Sequence, residues 1–407
     1  MFAIGAVGAI VAPFIAGQIA DRWFNTEKFL GISHILGGIL VWQLASLETY
    51  NSFLVFSLLY SLIYSPTLSL TNSLAFHHLP DRDRDFGKIR VWGTIGWIVV
   101  GIGIGQWLLH QHTPTGVEAE AVSAAQAAGM ADAFKLSGLL GIVMGIFCFF
   151  LPSTPPAKEE KKSAIGGALD AIRLQPLLTL FLIAVPISCV HQFYFVHTAP
   201  FLGQFQNQAE GFIDIVNKIV GVGGGGLMTI GQMAEIGVLA LIPLFAKKYS
   251  RKALLCVGIA AYSLRMFLFA YSPSFPEAAQ LPAIILGIAM HGLCFGCFIF
   301  VAFMVVDEEC ATDVRASAQS LFNLVIVGIG IIVGSKVAGY VAEISTVNEV
   351  MNYQKLFSVP MWAALACLVI MQLCYPNKPP ATAADGPSDK DADLDIDSDA
   401  ASNNGDE

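Results

Sequence analysis

The residues most able to do chemistry here are ionisable and amide side chains inside long apolar runs. Glu235 lies near the middle of the run TIGQMAEIGVLAL, three residues after Gln232. Residues three apart share one face of a helix, so the carboxylate and the amide point the same way. An ionisable group at mid-membrane costs about 3 kcal/mol, and a buried carboxylate there suits the uptake and release of a proton. We favour that role over a structural acid paired to another helix.

A second polar stripe lies in the run KIRVWGTIGWIVVG. Arg90 opens it, and Thr94 and Trp97 follow four and seven residues later, which places all three along one helical face. A cation, a hydroxyl and an indole on one face suit a flat, polar solute. The pattern alone supports packing equally well, with Arg90 as an anchor that reaches the membrane surface.

Two further runs carry polar groups. Gln192 interrupts SCVHQFYFVHTAPF, and its amide both donates and accepts, as recognition of a nucleobase or sugar requires. Arg265 is central in AYSLRMFLFAY and needs a partner, for which Glu235 on the neighbouring helix is a candidate. A purely structural ion pair is the alternative. His291, in AMHGLCFGCF, is expected to be a packed histidine rather than a ligand.

Motifs for enzymatic or metal chemistry are missing from the sequence. It has no nucleophile-elbow serine, no HExxH, no calcium loop and no basic nucleic-acid patch. Cys294-x-x-Cys297 lies inside an apolar run without a second pair, which favours packing. The glycine run at 221–226 lacks a Walker lysine and predicts a flexible outer loop. We therefore expect no enzyme, no metal and no cofactor, with a proton gradient as the energy source.

The elements that position these residues follow from the composition. The 407 residues are 55% hydrophobic and 13% charged, with mean hydropathy +0.64, whereas soluble domains carry about 25% charged residues. Apolar runs of this length predict an all-α polytopic membrane protein. The eleven predicted spans are 4–20, 29–46, 52–77, 90–108, 134–151, 177–198, 228–246, 253–271, 282–305, 316–340 and 357–375.

The basic residues predict the orientation. Alternate loops and the C-terminal tail hold 17 Lys and Arg, and the opposite loops hold 3. Cytoplasmic loops carry the basic excess, so the tail is expected inside and the chain in the inner (cytoplasmic) membrane. The tail, 377–407, has nine acidic residues against two lysines and few large apolar side chains. Such a composition predicts a disordered cytoplasmic segment.

Two matched halves are expected. A long inner loop, 152–176, separates an N-terminal bundle, 1–151, from a C-terminal six-helix bundle, 177–376, and it contains an amphipathic stretch. The segments GQIADRWFNTEKFL and PLFAKKYSRKALLC correspond across this divide. Five spans lie before the loop and six after it. This count predicts a protein type with two sets of six spans, of which the first span is missing here. Gly17-x-x-x-Asp21-Arg22 also fits the short inner loop of the major facilitator superfamily.

The order of several segments resembles the nucleoside:H⁺ symporter family of that superfamily. The similar segments are IGAV…AGQIADRWF, YSPTLSLTNSLAFHHL, KIRVWGTIGW, GQMAEIGVLALIPLFAKKYSRKALLC, YSLRMFLFAYSP and VDEECATDVRASAQSLF. They extend from residue 3 to about 340. Within this context RVWGTIG and RASAQ are the more specific.

The resemblance implies proton-driven nucleoside uptake by alternating access, with substrate bound midway between the halves. The positions that match the family's substrate site are Arg90, Thr94, Trp97, Gln192, Gln232, Glu235 and Phe295, with Glu235 as the proton-coupling acid. The family's aspartate position is Gly296 here, and its asparagine on the seventh span is Phe195.

We expect gating or structural roles for Asp21, Arg22, Arg265 and Arg315, with Arg315 and the Asp21-Arg22 loop helping to close the inner side. The expected partners are a nucleoside, H⁺ and lipid, with no nucleic acid, and the chain is expected to be a monomer. Two alternatives stay open: a proton-coupled carrier of another polar solute such as a sugar, and a transport-inactive truncated membrane protein or sensor.

Overall fold

Helices dominate the chain. The computed structural model describes residues 4, 6–8, 10, 25–80, 82–155, 165–206, 211–223, 226–311 and 314–377. Within these ranges the β-structure is one two-stranded hairpin. The first predicted span, 4–20, lies mostly outside the described residues, and so does the acidic tail.

The first half contains five described helices. They are α1 (Thr26–Leu44), α2 (Tyr50–His78), α3 (Arg82–Gln111), α4 (Ala119–Gly129) and α5 (Ala131–Cys148). A short helix, α6 (Ile165–Ile172), occupies the loop between the halves, where the sequence predicts an amphipathic stretch.

The second half is longer and more interrupted. Its helices are α7 (Leu177–Gln206), α8 (Phe212–Val220), α9 (Thr229–Lys248), α10 (Arg251–Tyr271), α11 (Glu277–Leu293), α12 (Val301–Glu309), α13 (Arg315–Asn323), α14 (Gly330–Ser345) and α15 (Tyr353–Cys374). The π-helical segments Cys294–Phe300 and Leu324–Ile329 join α11 to α12 and α13 to α14. A 3₁₀ turn, Ser272–Ser274, follows α10, and the hairpin β1 (Thr346–Val347) and β2 (Val350–Met351) precedes α15.

Nine helical stretches among the described residues are long and apolar enough to cross a membrane. They are Tyr50–Ala75, Val91–Gln111, Ala119–Cys148, Leu177–Gln206, Thr229–Lys248, Arg251–Ser274, Glu277–Glu309, Ser317–Ser345 and Tyr353–Cys374. Helix α1 is not one of the nine, although it forms where 29–46 was predicted. The prediction of an all-α, multi-pass membrane protein is confirmed.

Helix α1 is fixed at its start by the chain that follows α5. The Glu27 carboxylate accepts a hydrogen bond from the Thr154 N–H at 2.9 Å and another from the Asn25 side chain at 3.1 Å. The Thr26 N–H donates to the Thr154 carbonyl at 3.0 Å. Burial raises the pKa of Glu27, but these hydrogen bonds outweigh it and the pKa lies below the ordinary value. The start of α1 and the chain that follows α5 are thereby hydrogen-bonded to each other.

Most of the described core lies in the second half. One cluster of buried apolar residues runs from Ala168 to Tyr375, whereas the first half contributes a small cluster of Leu30, Leu70 and Cys148. Helix α10 is central to the larger cluster, since it packs against α11, the first π-helical segment and α15. Among the described residues, the second half is therefore the more closely packed.

Helix α3 of the first half packs against α8 and α9 of the second. The Val222 N–H donates to the Gly105 carbonyl at 3.0 Å, and the Gln106 side chain donates to the Lys218 carbonyl at 2.9 Å. Gly221 has φ +82°, and a Cβ on Gly105 would lie 3.2 Å from its Cα. The distribution of basic residues predicts that this contact is on the outer side. Among the described residues, α3 thus makes backbone and side-chain hydrogen bonds to the second half.

Candidate functional site

Close packing of α9 on α11 brings an acid next to a histidine. A Cβ on Gly292 would lie 2.5 Å from the Ala234 carbonyl oxygen and 2.8 Å from the Glu235 nitrogen, so the crossing needs glycine there. The Glu235 Oε2 lies 3.6 Å from the His291 Nε2. The side chain of Glu235 is 12% exposed and that of His291 is 3% exposed. The acid is therefore enclosed but reachable.

On its other side, His291 contacts a buried arginine. The Arg265 Nη1 lies 3.2 Å from the His291 Nδ1, and Arg265 is fully buried. Its guanidinium lies over the ring of Tyr194 at 4.1 Å and over that of Tyr262 at 5.1 Å. Aromatic faces attract a cation, which helps to hold this charge in the membrane. Arg265 was expected to pair with Glu235. His291 lies between the two side chains and contacts both.

His291 was expected only to pack, and its polar contacts were missed. The signal that could have found them is Arg265, because a mid-span arginine needs an acceptor and α11 follows α10 directly in the chain. Nothing in the local sequence separates His291 from an ordinary packed histidine.

Stacked rings surround His291. The His191 ring lies 5.6 Å from it at an interplanar angle of 24°, and the Tyr194 ring lies 5.1 Å from it at 20°. The His191 Nδ1 and the Tyr262 hydroxyl lie 2.8 Å apart. Phe195 meets the His191 ring edge-on at 5.0 Å. These contacts fix the imidazole planes beside the acid.

The two predicted glutamines are buried in the same half. Gln192 on α7 is 5% exposed, and Gln232 on α9 is 7% exposed. The Gln232 Oε1 has no hydrogen-bond partner among the described residues. A buried polar atom without a partner costs about 1–3 kcal/mol. This oxygen is therefore an acceptor that a bound solute can satisfy.

Phe295 and Gly296 lie in the π-helical segment Cys294–Phe300. The Phe295 ring is 6.4 Å from that of His291, which places it in the same aromatic group. Gly296 is buried, and a Cβ there would lie 2.6 Å from the Val238 Cγ1. A π-helical turn changes side-chain direction and is frequent at functional sites. Here it turns Phe295 toward the histidine.

The predicted residues of the first half lie on α3, the helix that packs against α9. Thr94 is half-buried, and Trp97 is 63% exposed. The side chain of Arg90 lies outside the described residues. An indole so exposed in a membrane protein faces lipid or an open cleft. Helices α3 and α9 are therefore in contact, but the exposed Trp97 is not enclosed with the predicted residues of the second half.

The structure describes two of the four residues for which gating or structural roles are expected. The Arg315 Nη1 lies 3.6 Å from the Asp307 Oδ2, and Gln319 donates to the same carboxylate at 2.8 Å. Asp21 and Arg22 lie outside the described residues. Arg265 lies in the core of the second half.

A separate cavity of about 300 Å³ lies in the first half, between α1, α2, α3 and α5. Its polar lining includes His34, Tyr60 and Tyr64, and its remaining lining is mostly apolar. The predicted substrate residues that the structure describes do not line it.

Long apolar helices that bury charged side chains among themselves define a multi-pass membrane protein of the major facilitator fold. The sequence pattern of the nucleoside H⁺ symporter family matches residues 1–379, and the chain belongs to this family.

Several Escherichia coli K12 proteins are similar in sequence. YegT is 31% identical over 84% of this chain and 75% of its own length. Xanthosine permease is 28% identical over 89% of this chain and 84% of its own. The nucleoside permease NupG is 27% identical over 87% and 81%. These relatives share nearly the whole length of the chain.

Solved structures agree on the fold. The crystal structure of NupG superposes with a TM-score of 0.75 at 24% identity and covers 93% of this chain and 89% of its own. The D-xylose–proton symporter superposes at 0.60 with 16% identity and covers 93% and 88%.

Proposed function

We propose that the chain takes up nucleosides together with protons across the inner membrane, by alternating access between its two halves. The observation that carries the proposal is the enclosed Glu235, one helical turn from the Gln232 amide oxygen, which has no hydrogen-bond partner within the described part of the chain. Membership of the nucleoside H⁺ symporter family supports the solute class. The C-terminus is cytoplasmic by the excess of basic residues on that side.

Each predicted side chain has a physical task in this proposal. Gln192 and Gln232 hydrogen-bond the base and ribose, because an amide supplies a donor and an acceptor. Phe295 lies against the base, and Arg90, Thr94 and Trp97 complete the site from α3. Glu235 takes the proton, since its carboxylate is shielded and also reachable.

The outer contact supports one state of the cycle. With Gly105 and Gln106 hydrogen-bonded to the second half, the outer side is closed. Substrate then leaves inward, and the cycle requires these two hydrogen bonds to break when the site faces outward. The ion pair of Arg315 with Asp307 lies at the inner end of the second half, where movement between states is expected.

Glu235→Gln tests the coupling. In proteoliposomes with an imposed proton gradient, we expect this variant to lose concentrative uptake of labelled uridine. Exchange of internal for external uridine needs no net proton movement and should persist. A variant that still accumulates uridine would refute the role of Glu235.

The solute is tested by competition. The second candidate is a sugar carrier, because the D-xylose–proton symporter has a similar fold. Excess unlabelled nucleosides should abolish uridine uptake, whereas D-xylose and glucose should leave it unchanged. The opposite order of inhibition would assign the chain to sugars, and no transport of either would favour a sensor.

A further inference from the structure

A three-residue chain of polar contacts crosses the second half, from Glu235 on α9 through His291 on α11 to Arg265 on α10. The acid has a place in the proposed function, but the histidine and the arginine have none yet. Both are almost wholly buried, at 3% and 0% exposed. Burying them without purpose would be costly in a membrane.

The arginine determines which nitrogen of His291 carries the proton. A guanidinium only donates hydrogen bonds, so the His291 Nδ1, 3.2 Å from the Arg265 Nη1, must accept. The single ring proton then resides on Nε2, the nitrogen that faces Glu235. Arg265 thus orients an N–H group at a carboxylate that it does not itself bind in this contact.

Packing holds the ring in that orientation. Tyr194 stacks on His291 from one direction, and its ring also lies under the Arg265 guanidinium. His191 stacks at 5.6 Å and is tied through its Nδ1 to the Tyr262 hydroxyl at 2.8 Å. An imidazole clamped in this way cannot turn to exchange its two nitrogens without disturbing α7 and α10.

The remaining gap is informative. At 3.6 Å, the His291 Nε2 and the Glu235 Oε2 are beyond a formed hydrogen bond but within ion-pair reach. Such contacts are often long in an unliganded site and shorten in the working complex. A small movement of α9 against α11 would close the bond.

We infer that His291 is a positioning residue for proton coupling: its Nε2–H, aimed by Arg265, supports the Glu235 carboxylate whenever that acid has released its proton. The inference rests on the proposed function and adds two residues to it. Without this donor, the anion forms less readily in the membrane, and the carrier exchanges solute without coupling it to protons.

Two amide substitutions separate the two nitrogens. His291→Gln places an amide near the Nε2 position, so it keeps the donor toward Glu235 and loses the acceptor for Arg265. His291→Asn places its amide near the Nδ1 position, so it keeps the acceptor and loses the donor. His197→Asn is the matched control, because this α7 histidine makes its contact with the Ala338 carbonyl at 3.2 Å.

The first readout is concentrative uridine uptake relative to uridine exchange. We expect this ratio to fall about tenfold or more in His291→Asn, as the loss of a hydrogen bond to a charged group implies. His291→Gln and the His197→Asn control should stay within about threefold of the unsubstituted protein. An unchanged ratio in His291→Asn, or an equal loss in both His291 variants, would overturn the inference.

The second readout is the apparent melting temperature in detergent, which does not depend on transport. Here the order should reverse: His291→Gln should melt lower because it strands Arg265, and His291→Asn should melt near the unsubstituted protein. Equal melting temperatures would overturn the link to Arg265. Failure of the unsubstituted protein to transport uridine would instead refute the proposed function, and the melting order would still test the contact.

Discussion

At Gly296 the backbone of the π-helical segment lies directly against Val238 of α9. A Cβ at this position would come within 2.6 Å of the Val238 Cγ1, closer than side-chain carbons normally approach. The valine methyl group therefore occupies the space that a larger residue at 296 would need. The local absence of an acid and the presence of a valine on the facing helix are two parts of one packing arrangement.

Gly296→Ala is accordingly expected to lower the apparent melting temperature. Overpacking costs about 1–3 kcal/mol, which exceeds the gain of up to about 1 kcal/mol from replacing a helical glycine by alanine. Val238→Ala removes the opposing methyl groups, so the double variant should recover most of the loss. Melting in detergent, followed by size-exclusion chromatography, measures both. Additive losses in the double variant would contradict the contact.

At the scale of elements, α3 contacts α8 and α9 of the second half. Gly105 accepts from Val222, and a Cβ on Gly105 would lie 2.8 Å from the Val220 carbonyl oxygen. Gly103 lies two residues earlier on the same helix and has nothing within 4 Å of its Cβ position. The two glycines thus differ in contact with the second half and not in secondary structure.

Gly105→Ala should therefore favour the outward-open state. Alanine stabilises a helix by about 0.5–1 kcal/mol relative to glycine, so the helix itself is not harmed. The added methyl group clashes only while the outer contact is closed. Spin labels at Met130 and Ile215, placed in a Cys374→Ser background, should show a longer distance between the outer ends of the halves.

Gly103→Ala is the control for this experiment, since it gains the same helix propensity without a clash. Its label distance should match that of the unsubstituted protein. An unchanged distance in Gly105→Ala, or the same increase in both variants, would show that the contact does not close the outer side.

At the scale of the molecule, the halves are unequally packed. In an apolar 18-residue window of Val91–Gln111, which lies in α3, 11% of residues are buried, against 67% in the corresponding window of Arg251–Ser274, which contains α10. Local opening of a helix is limited by the packing that it must break. Amide hydrogens of α3 should thus exchange faster than those of α10 in detergent. Hydrogen exchange by mass spectrometry measures both in one sample, and equal protection would contradict the difference in packing.

Much of this architecture could be predicted from the sequence, because a membrane span is recognised by its long run of apolar residues. Span order, the inner loop and the polar faces all follow from apolar runs and charges, and the placement of Glu235 beside Gln232 needs only helical spacing. The contacts of His291 could not be predicted. They depend on how α9, α10 and α11 cross. The crossings depend on small residues such as Gly292, and the sequence does not show which glycines lie at a helix crossing.

The same limit applies to the glycine run after α8. Its first residue, Gly221, was expected to lie in a flexible outer loop. The structure instead places it against the backbone of α3 with φ +82°, a conformation that few other residues adopt. The glycine content of such a run predicts a flexible backbone. The contact of Gly221 with α3 could not be predicted, because α3 is distant in the sequence.

The buried arginine also constrains the order in which the protein is made. Arg265 is synthesised 26 residues before His291. An arginine alone at the centre of a lipid bilayer costs about 3 kcal/mol, so α10 cannot be released early into lipid without penalty. Tyr194, made before both, already offers a ring face at 4.1 Å. We therefore expect release of α10 together with α7 and α11 to be favoured over release of α10 alone.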